Sequence, residues 1–169
     1  MLPSNARIQR VALQERLERL RQYAETTPFN HIRWGDRSLG IVTHSMAYQY
    51  VREVFPNASI LKLGMSYPLP RRLIVDFAGQ VETLLVAEEL DPYLEEQIRA
   101  MGIDAIGKDV FPPCLELLPD DIKHHGAKAG LLPVEQKSES VPFKDIPVRT
   151  PVFCAGCPHR STFYLLNKL

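Results

Sequence analysis

The sequence predicts an α/β fold: a small parallel sheet flanked by helices, with an N-terminal helix and a C-terminal extension. Three observations carry the prediction. Short apolar runs recur at residues 39–43, 60–63, 84–87 and 105–107. Segments with helical spacing separate them at intervals of about twenty residues, the pattern of βαβ units with right-handed crossovers. Gly40, Ile41, Val42 and Leu84, Leu85, Val86, Ala87 are apolar without alternation, as in strands buried on both faces. In such a sheet the crevice outside the strand carboxyl ends receives ligands and partners, which singles out His44 and Ser45, residues 64–68, and Glu88 and Glu89.

Composition narrows the function classes. With 169 residues, 45% hydrophobic and 24% charged, the chain fits one ordinary domain with appendages. Twenty basic residues balance twenty acidic ones, so no field of one sign recommends nucleic acid or an anionic membrane. No run reaches the roughly eighteen apolar residues of a membrane span, the start lacks the apolar core of a signal peptide, and a cytoplasmic location is expected. Three cysteines, an odd number, do not make a disulfide framework.

Ser4 is placed to cap a helix running to about residue 24, with Ile8, Val11, Ala12, Leu17, Leu20 and Tyr23 at helical spacing. Its arginines interleave with Glu15 and Glu18, which reads as a solvated face packed on a neighbour rather than an RNA-binding stripe. Pro28 and Asn30 break the helix, and Trp34, Gly35 and Asp36 form the turn into the first strand.

Ser45 is the expected cap of a second helix, reaching Val54 and facing the core with Ala47, Tyr50 and Val51. The turn from Thr43 to Met46 offers no GxGxxG, so a dinucleotide pyrophosphate has no cradle there. His44 reads either as a base at a strand end or as a side chain hydrogen-bonded to a neighbouring loop. After the second strand, Pro68 and Pro70 stiffen the loop, and Pro70 suits the first position of a helix running to Val81. That loop is either a surface for a partner or a stiff connection. Past the third strand, Asp91 is a natural cap, Pro92 the first helical residue, and Glu95 and Glu96 favour the positive end of a helix reaching Met101. Glu88 and Glu89 are adjacent in extended chain and point to opposite sides, so they cannot act as a paired acid and base.

Beyond residue 107 the pattern weakens. A proline-interrupted stretch reaches Cys114, a short helix is expected from about Pro119, and residues 126–150 read as a linker. His124 and His125 are adjacent, a spacing that shares a coordination sphere poorly. Cys154 and Cys157 have CxxC spacing, which lets two thiolates reach one metal or cluster or form a redox disulfide. Four ligands are needed for a structural zinc or iron-sulfur site, and Cys114 and His159 are the obvious extra candidates.

Three motifs in order carry a family resemblance: Lys62-Leu63-Gly64-Met65-x-Tyr67-Pro68-Leu69-Pro70, Val86-x-Glu88-Glu89-Leu90-Asp91-Pro92-Tyr93-x-Glu95-Glu96-Gln97, and Cys154-x-Gly156-Cys157-Pro158-His159-Arg160. Together with the run from Ala47 to Val51 they resemble the middle region of the alpha subunit of indolepyruvate ferredoxin oxidoreductase, over nearly the whole chain. The resemblance implies an enzyme that oxidatively decarboxylates aryl pyruvates to acyl-CoA and reduces ferredoxin. It implies thiamine diphosphate, magnesium and 4Fe-4S clusters as cofactors of the full subunit, and a beta subunit, CoA and ferredoxin as partners. The α/β unit would then resemble the transketolase C-terminal domain.

The family's pyrimidine-binding domain, its Gly-Asp-Gly magnesium motif and its ferredoxin-like cysteine runs have no counterpart in this sequence. The expectation is therefore an internal fragment, non-catalytic and without cofactor or metal by itself. Its expected divisions are a helix and connector at 1–35, the transketolase C-terminal-like domain at 36–113, a short helix and linker at 114–150, and at 151–169 the start of the thiamine-diphosphate-binding domain. Cys154, Gly156, Cys157 and His159 would border the cofactor in the full subunit, as a CxxC at this place helps ligate a cluster in related oxoacid oxidoreductases. Tyr67, Pro68, Glu88 and Glu89 are interface candidates. Two other readings stand beside this one: a small zinc- or partner-binding α/β module using Cys154, Cys157 and His159, and a small α/β enzyme working at His44 or Glu88.

Overall fold

The computed structural model describes residues 3–114, 116–133 and 152–168. The first two ranges belong to one compact unit, and the third to a second.

In the first unit the chain runs through α1 (Pro3–Thr26), β1 (His31–Arg33), β2 (Asp36–His44), α2 (Ala47–Val54), β3 (Ala58–Leu63), α3 (Arg71–Ala78), β4 (Thr83–Ala87), α4 (Tyr93–Arg99) and α5 (Pro119–Lys128). The four strands make one sheet in the order β1-β3-β2-β4. β2 is parallel to both β3 and β4, with Ile41 opposite Ile60 on one side and Leu85 on the other, as the apolar runs predict.

Successive residues of the central strands feed two separate cores, because side chains alternate across a sheet. Ile41, Ile60 and Leu85 pack with Val51 of α2, with Phe55 just after it, with Phe111, and with Ile122 of α5. Val42, Leu61 and Val86 face the other way, onto Ile74 and Phe77 of α3 and Leu94 and Ile98 of α4. Ile41, Leu61 and Leu85 are fully buried, which is why these strands carry no polar alternation.

Several local expectations are corrected. The sheet is mixed, since His31–Arg33 forms an antiparallel edge strand on β3 ahead of the expected first strand. Residues 105–107 make a single parallel bridge, Leu85 to Ile106, rather than a full strand. Ser45 does not cap α2: it sits at φ 51, and Met46 holds the cap position. Pro70 and Pro92 are cap residues, one position before the helices they were expected to begin. α3 and α4 also end earlier than expected, at Ala78 and Arg99. After α4 the chain tightens through the bonds Met101 N to Ile98 O and Gly102 N to Arg99 O, and Gly102 takes the left-handed conformation at φ 84 that closes helices.

α1 runs across polar sequence and leaves Ile8 and Val11 exposed, while its last turn is tied down. Ala24 is buried, its carbonyl accepts from Asn30 Nδ2 at 2.9 Å, and the Glu25 carboxylate accepts from the amides of Arg72 and Leu73 at the start of α3. α5 packs on α2 through Ile122, so this helix is part of the sheet's cover. Of the expected linker, residues 134–150 lie outside the described residues, while Gly126 is buried in α5.

In the second unit a turn at residues 154–157 leads into α6 (His159–Leu166), whose side chains are exposed. Among the described residues no helix is long and apolar enough to cross a membrane.

Candidate functional site

The connections leave the sheet on opposite faces: β2 feeds α2 on one side, and β3 feeds α3 on the other. A crevice outside the strand carboxyl ends follows from that divergence. It holds a cavity of about 400 Å³ lined by His31, His44, Ser45, Tyr48, Lys62 and neighbours from the loop after β3. His44 Nδ1 lies 2.7 Å from Ser45 Oγ, and the Tyr48 hydroxyl is 3.5 Å from His31 Nε2. His44 is thus hydrogen-bonded to the adjacent Ser45 and lines the cavity. Lys62 and His31 were missed as a pair because their proximity comes from the antiparallel register of β1 and β3. The available signal was a lone cation inside the apolar run 60–63.

The loop after β3 is held from behind. Asn30, itself buried, turns its Oδ1 to the amides of Gly64 and Met65 at 2.9 and 2.8 Å. The loop then exposes Tyr67 and buries Pro68, across a cis Tyr67–Pro68 peptide bond. Exposed apolar side chains follow each parallel strand: Met46 after β2, Tyr67 after β3, and Leu90 with Tyr93 after β4. Tyr93 donates from its hydroxyl to the Ser66 carbonyl at 3.2 Å, joining the last two loops. Burial raises the Tyr93 phenol above its ordinary pKa, and the nearby Tyr67 and Glu88 add to the shift.

Glu88 is only 2% exposed, and it points inward. Its Oε2 accepts from Leu94 N at 2.7 Å and its Oε1 from Glu95 N at 2.9 Å, so the carboxylate caps α4 in place of Asp91. Both oxygens being spent on backbone donors, Glu88 is placed to hold the strand-end loop rather than to meet a surface or a substrate. Glu95, equally buried, accepts from Lys108 N at 2.8 Å and pairs with Arg99 at 2.8 Å. Lys108 Nζ donates to the Glu88 carbonyl at 2.6 Å. Burial lowers the Lys108 pKa, against the upward pull of Glu88, Glu95, Asp91 and Glu89. Glu89 is half-buried and accepts a long bond from Leu117 N at 3.4 Å. The two adjacent carboxylates have separate partners, as their alternation in extended chain requires.

In the second unit Cys157 N donates to Cys154 O at 3.1 Å, closing a turn in which Gly156 has φ 77. Only glycine takes that conformation without strain. Cys154 is exposed, Cys157 is half-buried, and Cys157 Sγ lies 3.4 Å from His159 Nδ1. A thiol beside an imidazole can exchange a proton or take up a soft metal. Among the described residues no three His, Cys, Asp or Glu side chains converge on one point that could hold a metal ion.

No family model matches the chain. Over its whole length it is 33% identical to an indolepyruvate oxidoreductase subunit IorA from Archaeoglobus fulgidus, and it spans 29% of that protein. It is 31% identical to the subunit of the same name from Pyrococcus horikoshii and 29% to that from Methanothermobacter marburgensis, over 99% of the chain and 28% and 29% of theirs. The chain thus resembles IorA proteins from end to end while spanning under a third of their length. In structure it resembles a 2-oxoglutarate:ferredoxin oxidoreductase from Magnetococcus marinus, solved with 2-oxoglutarate, coenzyme A and succinyl-CoA bound. The TM-score is 0.58, at 18% identity, over 78% of this chain and 24% of that one. That likeness concerns the fold.

Proposed function

We propose that this chain is the non-catalytic α/β region of an indolepyruvate ferredoxin oxidoreductase alpha subunit, and that it serves assembly rather than chemistry. The carrying observation is the end-to-end similarity, 29 to 33% identity, to proteins named as IorA subunits. The whole enzyme would oxidatively decarboxylate aryl pyruvates to acyl-CoA with reduction of ferredoxin, in the cytoplasm and together with a beta subunit. Thiamine diphosphate would supply the carbanion chemistry, with magnesium on its diphosphate and 4Fe-4S clusters carrying the electrons.

Within this reading the residues divide by what they touch. Tyr67, Leu90 and Tyr93 give the strand-end edge an aromatic and apolar surface suited to another domain of the enzyme. Pro68, Glu88 and Glu89 keep that edge in shape from beneath, Glu88 through its two amide bonds. Cys154, Gly156, Cys157 and His159 would border the cofactor in the full subunit, with the Gly156 turn presenting both thiols. The division into 1–35, 36–113, 114–150 and 151–169 belongs to the same proposal, except that α5, packed against the core of the α/β domain, extends that domain to Lys128.

Purification of the chain, tagged at its own locus, from cells of its source tests this reading. The expected fractions contain a second subunit and reduce ferredoxin with indolepyruvate and CoA. A variant carrying Tyr67→Ser and Tyr93→Ser should lose the second subunit and the activity together. Chain-bearing fractions with no 2-oxo-acid-dependent reduction would refute the proposal.

A further inference from the structure

The cavity at the ends of β2 and β3 has chemistry that the assembly role leaves unused. Its volume of about 400 Å³ is in the range of small-molecule pockets. Lys62, His31 and His44 line it with an ammonium and two imidazoles, Ser45 and Tyr48 add hydroxyls, and no carboxylate is among the lining residues. Lys62 is half-buried, and its ammonium reaches the Phe29 carbonyl at 3.4 Å. Among the described residues it has no acidic partner. Thr43, the register partner of Lys62 on β2, is fully buried, and its hydroxyl has no hydrogen-bond partner among the described residues.

The backbone at the same place is of the kind that receives anions. Ser45, left-handed at φ 51, directly precedes Met46, right-handed at φ −70. Such a pair of residues forms a concavity of amide groups. A non-glycine residue held at positive φ beside a cavity is also costly enough to suggest a use.

We propose that this cavity binds a phosphate monoester, with the phosphoryl group held by Lys62, His31 and His44 and the organic part filling the remaining volume. A phosphoryl group presents several strong acceptors at once, and here donors converge from the sheet, from both histidines and from the turn into α2. A cation would find no carboxylate, and an apolar ligand would be walled by polar groups. The inference does not depend on the oxidoreductase reading, because it concerns only side chains inside the first unit.

The test is an amide-resolved NMR titration of the 169-residue chain, first with inorganic phosphate and then with glycerol 3-phosphate. Saturable shifts should centre on residues 45–47 and 64, with tighter binding of the ester. Lys62→Met should weaken binding by about tenfold or more, and Lys62→Arg should restore most of it. If Lys62→Met fails to fold, His44→Gln and the shift map of the parent chain decide the matter. Saturable binding of inorganic phosphate that the ester does not improve would overturn the monoester. Linear, diffuse shifts with either probe, or binding indifferent to both substitutions, would overturn the site.

Discussion

Glu88, the residue after β4, closes the first turn of α4 by accepting from the amide of Leu94 at 2.7 Å, while its second oxygen takes that of Glu95 at 2.9 Å. Removing the carboxylate leaves two buried donors unpaired. Glu88→Ala should therefore cost about 1 to 3 kcal/mol of stability. Glu88→Gln should recover only part, since its amide sets a donor against one of the two N–H groups. Urea unfolding gives the cost, and faster hydrogen exchange at Leu94 and Glu95 locates it. Unchanged exchange at those amides would refute the capping role.

Leu85 is fully buried in the core between β2, α2 and α5. Leu85→Ala should destabilise the chain by about 2 to 5 kcal/mol through lost burial and the cavity left behind. A thermal melt indistinguishable from the parent's would show that the strand is not a core strand.

Alkaline pH should act on two neighbouring groups in opposite directions. Lys108 has its pKa lowered from 10.5 by burial, so between that lowered value and 10.5 the unfolded chain binds the extra proton and stability rises with pH. Tyr93 has its pKa raised above 10.0, so above 10.0 the folded chain keeps its proton longer and stability falls. In a Tyr93→Phe background, the difference in melting temperature between Lys108 and Lys108→Met chains should grow in favour of lysine as pH approaches 10.5. A difference flat in pH would mean that Lys108 titrates as a free lysine.

Cys154 and Cys157 supply two thiols with a single imidazole beside them. The 169-residue chain alone should hold neither a stoichiometric cluster nor tightly bound zinc. Metal analysis near one equivalent per chain, abolished by Cys157→Ser, would contradict this.

Thiamine diphosphate requires a magnesium site, backbone donors for its diphosphate, and an activating carboxylate for its aminopyrimidine. The sequence has no Gly-Asp-Gly motif to hold magnesium, and Glu88, the buried carboxylate at the end of β4, is committed to α4. Calorimetric titration of the chain with thiamine diphosphate and magnesium should show no heat beyond dilution, and saturable micromolar binding would sink the assembly role proposed above.

The sequence by itself determined the parallel pairing and the two-layer cover. Residues 40–42 and 84–87 are apolar on both alternations, which water tolerates only if both faces are covered. The intervening periodic segments are too long for hairpins and so cross over as helices. Local rules failed where distant chain supplied a better partner. Asp91 adjoins Pro92 and looked like the cap of α4, but the turn after β4 brings back Glu88, whose two oxygens satisfy two amides at once. Residues 31–33 are too few to show a period, and they become a strand because β3 offers an unpaired edge. That same pairing sets His31 beside Lys62 and builds the polar cavity. Periodicity records which way a side chain faces along its own element, whereas register between elements depends on where the chain returns, and the tertiary structure alone decides that.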